Sequence, residues 1–356
     1  MRAAPCRHHV HLRIAEARSS PYSIPTRTGP TQRTWAFASL PALHATPTQR
    51  PRITKQVAAA AVTRRMLQSR WCAMVRIVPV SLPPWLEQLR RSEIANKVQN
   101  DPRSTRGLVL GVDPAIAQQD VAGWGQADFD EPWGGLSADD RVLLYSYFFQ
   151  KGHLEELTEA FRMLLAAEGP KDEPILVDLG CGPFTSGLAF AAADDGARAF
   201  DYIGLDRSTT MCRTGEAYAC AADTLRGVAC GRRHWTTDLG ALTWSSAPGW
   251  RPVFVIVSYL LASPTLDANQ LIRDLERLLE QLGRGPVTVL YTNSKRADAN
   301  RSFETFRAAL EAAGFVLFAD DVGAIEIDRW GGTQRRELRY ALFHRQERDV
   351  LTLKGD

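Results

Sequence analysis

The chain reads as an α/β protein built on a mostly parallel sheet with helices on both faces, and three observations predict it. A short apolar strand, Ile175 to Leu179, breaks into glycines and then into a helix of small residues. A continuous apolar run, Val253-Phe254-Val255-Ile256-Val257, and a further strand, Val287-Thr288-Val289-Leu290-Tyr291, flank a segment of helical period, the pattern of a parallel sheet covered by helices. Near the end, Glu337 to Phe343 alternates as a strand inserted antiparallel does. With 356 residues, 45% of them hydrophobic and 23% charged, the chain can bury one or two cores and is no disordered or collagen-like polymer.

Residues 1–73 stand apart, with eleven Arg and one Lys against a single acid, Glu16; the remainder holds 31 basic and 39 acidic residues and is net negative by eight. Rich in Arg, Pro, Ser and Thr, this leader is expected to be disordered. It has the composition of an organellar transit peptide, with Ser19, Ser20 and Ser23, and equally that of upstream sequence translated from a start placed before Met74. A nucleic-acid-binding arm is a third reading. The expected division is a leader over 1–73, a helical lead-in or lid over 74–170, a core over 171–348 and a tail over 349–356.

In the lead-in, Pro83-Pro84-Trp85 opens an amphipathic helix with Trp85, Leu86, Leu89, Ile94 and Val98 on one face. Gly123-Trp124-Gly125 and Pro132-Trp133-Gly134-Gly135 read as loops. Ser137, three residues before Asp140, caps a helix that runs towards Gly152, and Leu154, Leu157, Phe161, Leu164 and Leu165 stripe the next one. The aromatic segment Tyr145, Tyr147, Phe148, Phe149 and His153 is either packing or a lid over a ligand.

The six cysteines form no C-x-x-C pair and no cluster with histidines, so no metal site and no disulfide frame is expected. No apolar run reaches the roughly 18 residues that a membrane helix needs. The expectation is a protein without membrane association, cytoplasmic, or mitochondrial if the leader is a transit peptide.

The chemistry centres on Val177-Asp178-Leu179-Gly180-Cys181-Gly182-Pro183-Phe184-Thr185-Ser186-Gly187, a strand, a glycine turn and a helix start. Gly180 and Gly182 let the backbone bend and approach a ligand, and Gly187 seats the helix against the strand. A second strand, Tyr202-Ile203-Gly204-Leu205, ends in Asp206, whose carboxylate is placed to accept both ribose hydroxyls of an adenosine. A dinucleotide loop needs glycine three residues after Gly182, where Thr185 stands, and a pyrophosphate sits poorly beside Asp178. A cofactor ending in an ammonium group suits that acid.

These residues resemble the S-adenosylmethionine-dependent methyltransferases of class I, with a Rossmann-like seven-stranded sheet, whose first motif is acid-x-Gly-x-Gly-x-Gly. Asp178, Gly180 and Gly182 match it and Asp206 matches the ribose-binding acid. The third glycine of the motif is Phe184 here, a departure expected to narrow the methionine end. The resemblance implies S-adenosyl-L-methionine as cofactor, with Asp178, Gly180, Cys181, Gly182, Asp206, Asp238 and Ser258 around it. It also implies an acceptor pocket beyond the fourth and fifth strands, with Tyr259, Tyr291 and Asn293 on its wall and Tyr147 from the lid.

No catalytic base is legible, and methyl transfer from a sulfonium needs chiefly alignment. The expected acceptor is a small molecule, then a protein, then RNA, because the body after residue 73 is acidic and its densest basic stretch, Arg329 to Arg336, reads as a solvated hairpin loop. The alternatives are a methyltransferase-like binding or assembly factor with degenerate activity, favoured by Phe184, and an RNA methyltransferase. A chain starting at Met74 is expected to melt at the same temperature as the full chain in calorimetry; a drop of several degrees would show that the leader packs on the core.

Overall fold

The computed structural model describes residues 80–346 apart from 169–172, 195–198, 227–230, 245–248 and 330–331. The leader 1–73 and the tail 349–356 lie outside the described residues. Those described form one sheet of seven strands: β1 (Ile175–Leu179), β2 (Asp201–Leu205), β3 (Arg233–Thr236), β4 (Val253–Ser258), β5 (Val287–Ser294), β6 (Val316–Arg329) and β7 (Gly332–Arg345). Their order is β3-β2-β1-β4-β5-β7-β6. The first five pair in parallel, and β7 inserts antiparallel between β5 and β6. Because β1 pairs with β2 on one side and β4 on the other, the chain reverses its winding at β1, where open α/β sheets leave a crevice beyond the strand ends.

Alternation along the strands divides the core. Val177, Ile203, Val255 and Val289 face α7 (Ala268–Leu282) and α8 (Phe303–Ala312). Helix α7 buries Leu271, Ile272, Leu275, Leu278, Leu279 and Leu282 as one stripe, each worth about 1.5–3 kcal/mol. Leu176, Tyr202, Phe254 and Leu290 face the other way, onto α5 (Thr185–Ala193), α6 (Thr209–Arg226) and the lead-in.

The lead-in is largely helical and shares that second core through Leu82, Leu86, Leu89, Leu157 and Phe161. Helix α1 runs from Pro84–Arg90 through a π-helical turn, Arg91–Ala95, into Asn96–Gln99. Helix α2 is Pro114–Ile116 with a π-helical continuation, Ala117–Val121. Ser137 caps α3 (Ala138–Tyr145) in a reciprocal capping box with Asp140, as the spacing predicts. The expected break near Gly152 is absent: α3 continues through a π-helical turn, Ser146–Gln150, into α4 (Lys151–Glu168).

Two strand ends differ from expectation for one reason, pairing with β7. Strand β5 runs on to Ser294 because Thr292, Asn293 and Ser294 pair with Tyr340, Arg339 and Leu338. Strands β6 and β7 are each 14 residues long, so Arg335 and Arg336 lie in a paired strand rather than a solvated loop. Inverting a further expectation, Phe184 does not enter the ligand crevice. Its ring is buried, edge-on to Tyr202 at 4.7 Å and to Trp235 at 6.0 Å, and its backbone takes the left-handed conformation (φ 64°) that a glycine would supply. The ring fits because Gly187 has no side chain: a Cβ there would overlap it. Gly187→Ala is therefore expected to destabilise by about 2–3 kcal/mol through overpacking, read as a melting temperature lower by roughly 5–10 °C.

Candidate functional site

At the carboxyl ends of β1, β2 and β4 lies a cavity of about 550 Å³. Gly180 (φ 76°) and Gly182 (φ 50°) shape its floor in a conformation that side chains disfavour. The loop is pinned to β2, since the N–H groups of Gly180 and Cys181 both donate to Leu205 O, at 2.8 and 2.9 Å. Asp206, half-buried on the wall, accepts the Gly182 N–H on Oδ2 and the Ser208 N–H on Oδ1, both at 2.9 Å. Burial pushes this carboxyl upward, against the pull of the two N–H groups.

Asp178 lies beneath the loop rather than in the cavity. Its carboxyl is buried and accepts hydrogen bonds from Tyr202 OH at 2.7 Å and Ser186 Oγ at 3.0 Å. Burial raises it to about 7, the two hydroxyls opposing. Cys181 is likewise buried with its thiol pushed up by burial. Both residues support the loop from below.

The lead-in closes the opposite wall. Arg207 donates to Gln126 O and Ala127 O at 2.8 and 2.9 Å. Asp130 caps the start of α6 by accepting from Ser208 Oγ and the N–H groups of Thr209 and Thr210, at 2.8–2.9 Å. Arg141, buried within α3, donates to the carbonyls of Val121, Asp128 and Glu131 and so holds that loop in place. These clamps put Phe129 and Tyr145 on the cavity wall, where they pack edge-on at 5.4 Å. The Tyr145 hydroxyl points towards Gly182 and lies 3.5 Å from His153 Nδ1.

Ser258 and Tyr259 line the cavity from the end of β4. Ser258 Oγ is bonded to Thr292 Oγ1 at 3.0 Å. Tyr259 is fixed on three sides: His153 stacks on its ring at 4.3 Å, the Arg336 guanidinium lies 5.0 Å from the ring centre, and its hydroxyl donates to Glu156 Oε2 at 2.7 Å. Glu156 is buried, with Oε1 unpartnered, and burial raises its carboxyl. Arg336 thus supports the cavity wall instead of standing in solvent.

Asp238 sits at the rim, beyond the end of β3, and its Oδ1 caps a turn by accepting from Gly240 N at 2.8 Å. Besides Asp178 and Cys181, three more candidates are not brought to this cavity. Tyr291 and Asn293 lie within β5 and serve a buried network on the α8 side: Tyr291 OH donates to Asn300 Oδ1 at 2.7 Å and Asn293 Nδ2 to Ala299 O at 2.8 Å. Tyr147 points to the far side of α3–α4, into a separate groove. Sequence reasoning missed Asp130, Arg141, Glu156 and Arg207. Each acts on residues 10 to 103 positions away, which no local spacing reports.

The strand order, the antiparallel seventh strand and the glycine loop facing a carboxylate define the class I methyltransferase fold. No protein-family profile matches the chain, and no curated protein does. Among solved structures, it is similar to magnesium protoporphyrin IX methyltransferase of Synechocystis PCC 6803 with bound SAH, at 13% identity over 65% of this chain and 98% of that one, TM-score 0.37. It is similar also to a phosphoethanolamine N-methyltransferase of Haemonchus contortus, at 11% identity over 59% and 58%, TM-score 0.35. A proposed RNA methyltransferase of Pyrococcus horikoshii is similar at 14% identity over 54% and 85%, TM-score 0.35. The fold assignment rests on strand order and register, independently of these likenesses. Among the described residues no helix is long and apolar enough to cross a membrane, and no cluster of metal-ligating side chains occurs.

Asp178, raised to about 7 in the folded chain, binds its proton more tightly there than when unfolded. The stability it contributes is present below the ordinary carboxylate range and is lost as pH rises through 7. Denaturant melts are expected to show stability falling between about pH 4 and pH 7 and levelling above that, by up to about 1.4 kcal/mol per pH unit for one such group. Asp178→Asn should flatten that slope; an unchanged slope would place the titration elsewhere.

Proposed function

We propose that the chain is an S-adenosylmethionine-dependent methyltransferase acting on a small, pocket-sized acceptor. The observation that carries this is the carboxylate of Asp206 set beside the left-handed glycine loop at the wall of the cavity. The residues present fit the cofactor. At Gly182 a Cβ would project towards the cavity, with only Tyr145 within 4 Å, so the backbone is open to a ligand. Each Asp206 oxygen accepts one N–H and retains a lone pair for a ribose hydroxyl. The backbone of Gly180 and Gly182 would lie beside the methionine portion, with the Cys181 side chain beneath it, Asp206 on the ribose, Asp238 near the adenine and Ser258 at the fourth strand's end.

When bound, the cofactor supplies an electrophilic methyl group on a sulfonium. The chain's part is to align the acceptor and to exclude water. Phe129, Tyr145 and Tyr259 wall the cavity with aromatic surface, which favours a molecule enclosed by it over a polymer. Tyr145, raised by burial and the nearby Asp206, stays protonated at neutral pH and can orient an acceptor atom as a hydrogen-bond donor. The reading as a binding factor with degenerate activity loses its motive, because Phe184 packs away from the cavity.

Calorimetric titration of the full chain with S-adenosylmethionine is expected to show binding. Loss of a charged hydrogen-bond pair costs about 2–3 kcal/mol, so Asp206→Ala should weaken it roughly 30- to 150-fold. Asp206→Asn, which keeps an acceptor for Gly182, should fall between. An unchanged dissociation constant in both variants would overturn the assignment.

A further inference from the structure

A second cavity, of about 770 Å³, lies on the far side of α3–α4 from the glycine loop. Its walls are unusual in their backbone. All three π-helical turns among the described residues contribute to it: Arg91 and Ile94 from the first, Gln118 from the second, Tyr147 and Phe148 from the third. The widened bonding is explicit at Asn96 N to Arg91 O and at Ala122 N to Ala117 O, each five residues apart. Such turns are rare and frequently found at functional sites. Three converging on one groove mark it as more than a gap between helices.

Its side chains give the chemistry. Arg90, Arg91 and Lys151 bring three cations, against Glu87 on the wall and Glu155 behind, the latter 3.6 Å from Lys151. Arg90 is half-buried on the wall, and burial lowers its guanidinium against the pull of Glu87 and Glu155, so an oxyanion in the groove would favour its charged form. Tyr147 and Phe148, half-buried and edge-on at 5.1 Å, offer aromatic surface beside the cations against which a flat ring can pack.

We propose that this groove is a second ligand site, for a small molecule carrying an oxyanion, phosphate or carboxylate, on a flat apolar body. The guanidinium of Arg90 holds the anion from within, Arg91 and Lys151 close on it at the rim, and Tyr147 and Phe148 pack the body. The site stands on residues other than those of the cofactor cavity and does not depend on the methyltransferase reading.

Calorimetric titration of the full chain with phenyl phosphate, benzoate and phenol tests it. At least one of the two anions is expected to bind and phenol is not; which anion binds tells phosphate from carboxylate. Arg91→Ala, exposed and tolerant of change, should weaken binding about tenfold, the usual loss on removing one charged hydrogen bond. Arg90→Lys, which keeps the charge but not the fork, should weaken it as well, and Asp206→Ala should leave it unaltered. Absence of binding by either anion at millimolar concentration, equal binding of phenol, or indifference to both arginine variants would overturn the proposal. Loss of binding in Asp206→Ala would do so too, by placing the anion in the other cavity.

Discussion

The hydrogen bond from Gly182 N–H to the Asp206 carboxylate is the contact on which the rest of the cavity depends. It joins the turn after β1 to the tip of β2, and it forms only because the chain between enters the left-handed region at Gly180, Gly182 and Phe184. For a non-glycine residue such a conformation costs about 1–2 kcal/mol. Burial of the Phe184 ring against Tyr202 and Trp235 offsets that cost. Below, the Asp178 carboxyl takes the hydroxyls of Tyr202 and Ser186, so the loop is held from above by one acid and from beneath by another. Desolvation raises both, and each depends on the neighbouring donors to remain where it is.

Around that centre the lead-in is a structural wall. Asp130 caps α6, Arg207 holds the carbonyls of Gln126 and Ala127, and Arg141 gathers a loop by donating to the carbonyls of Val121, Asp128 and Glu131. Charge here acts on backbone more than on opposite charge. That is economical in a half-buried setting, since a guanidinium can satisfy several carbonyls at once.

The sheet was legible because parallel strands covered on both faces announce themselves as unbroken apolar runs, and the glycine loop because its conformation demands glycine. The acid at Asp206 followed from its place at a strand tip. Less was legible where the outcome was decided by a partner remote in sequence. Residues 292–294 resemble a loop but are strand because β7 pairs with them, and this turned Tyr291 and Asn293 away from the cavity. Gly152 resembles a helix end but sits inside one, its neighbours Leu154 and Leu157 being buried in the common core. Tyr145 and Tyr147 share one aromatic segment yet face different cavities, because residues two apart on a helix stand about 200° apart around its axis.

Phe184 and Gly187 also bear on how such a loop can arise. Any side chain at position 187 would occupy the space of the ring, while glycine at 187 without the ring leaves a hollow beneath the loop. The two positions therefore form a lock: with the ring in place a side chain at 187 must displace it, so a change at either position is felt at the other. Once both are present, each holds the other in place, and the third glycine of the motif has in effect moved three residues along the chain.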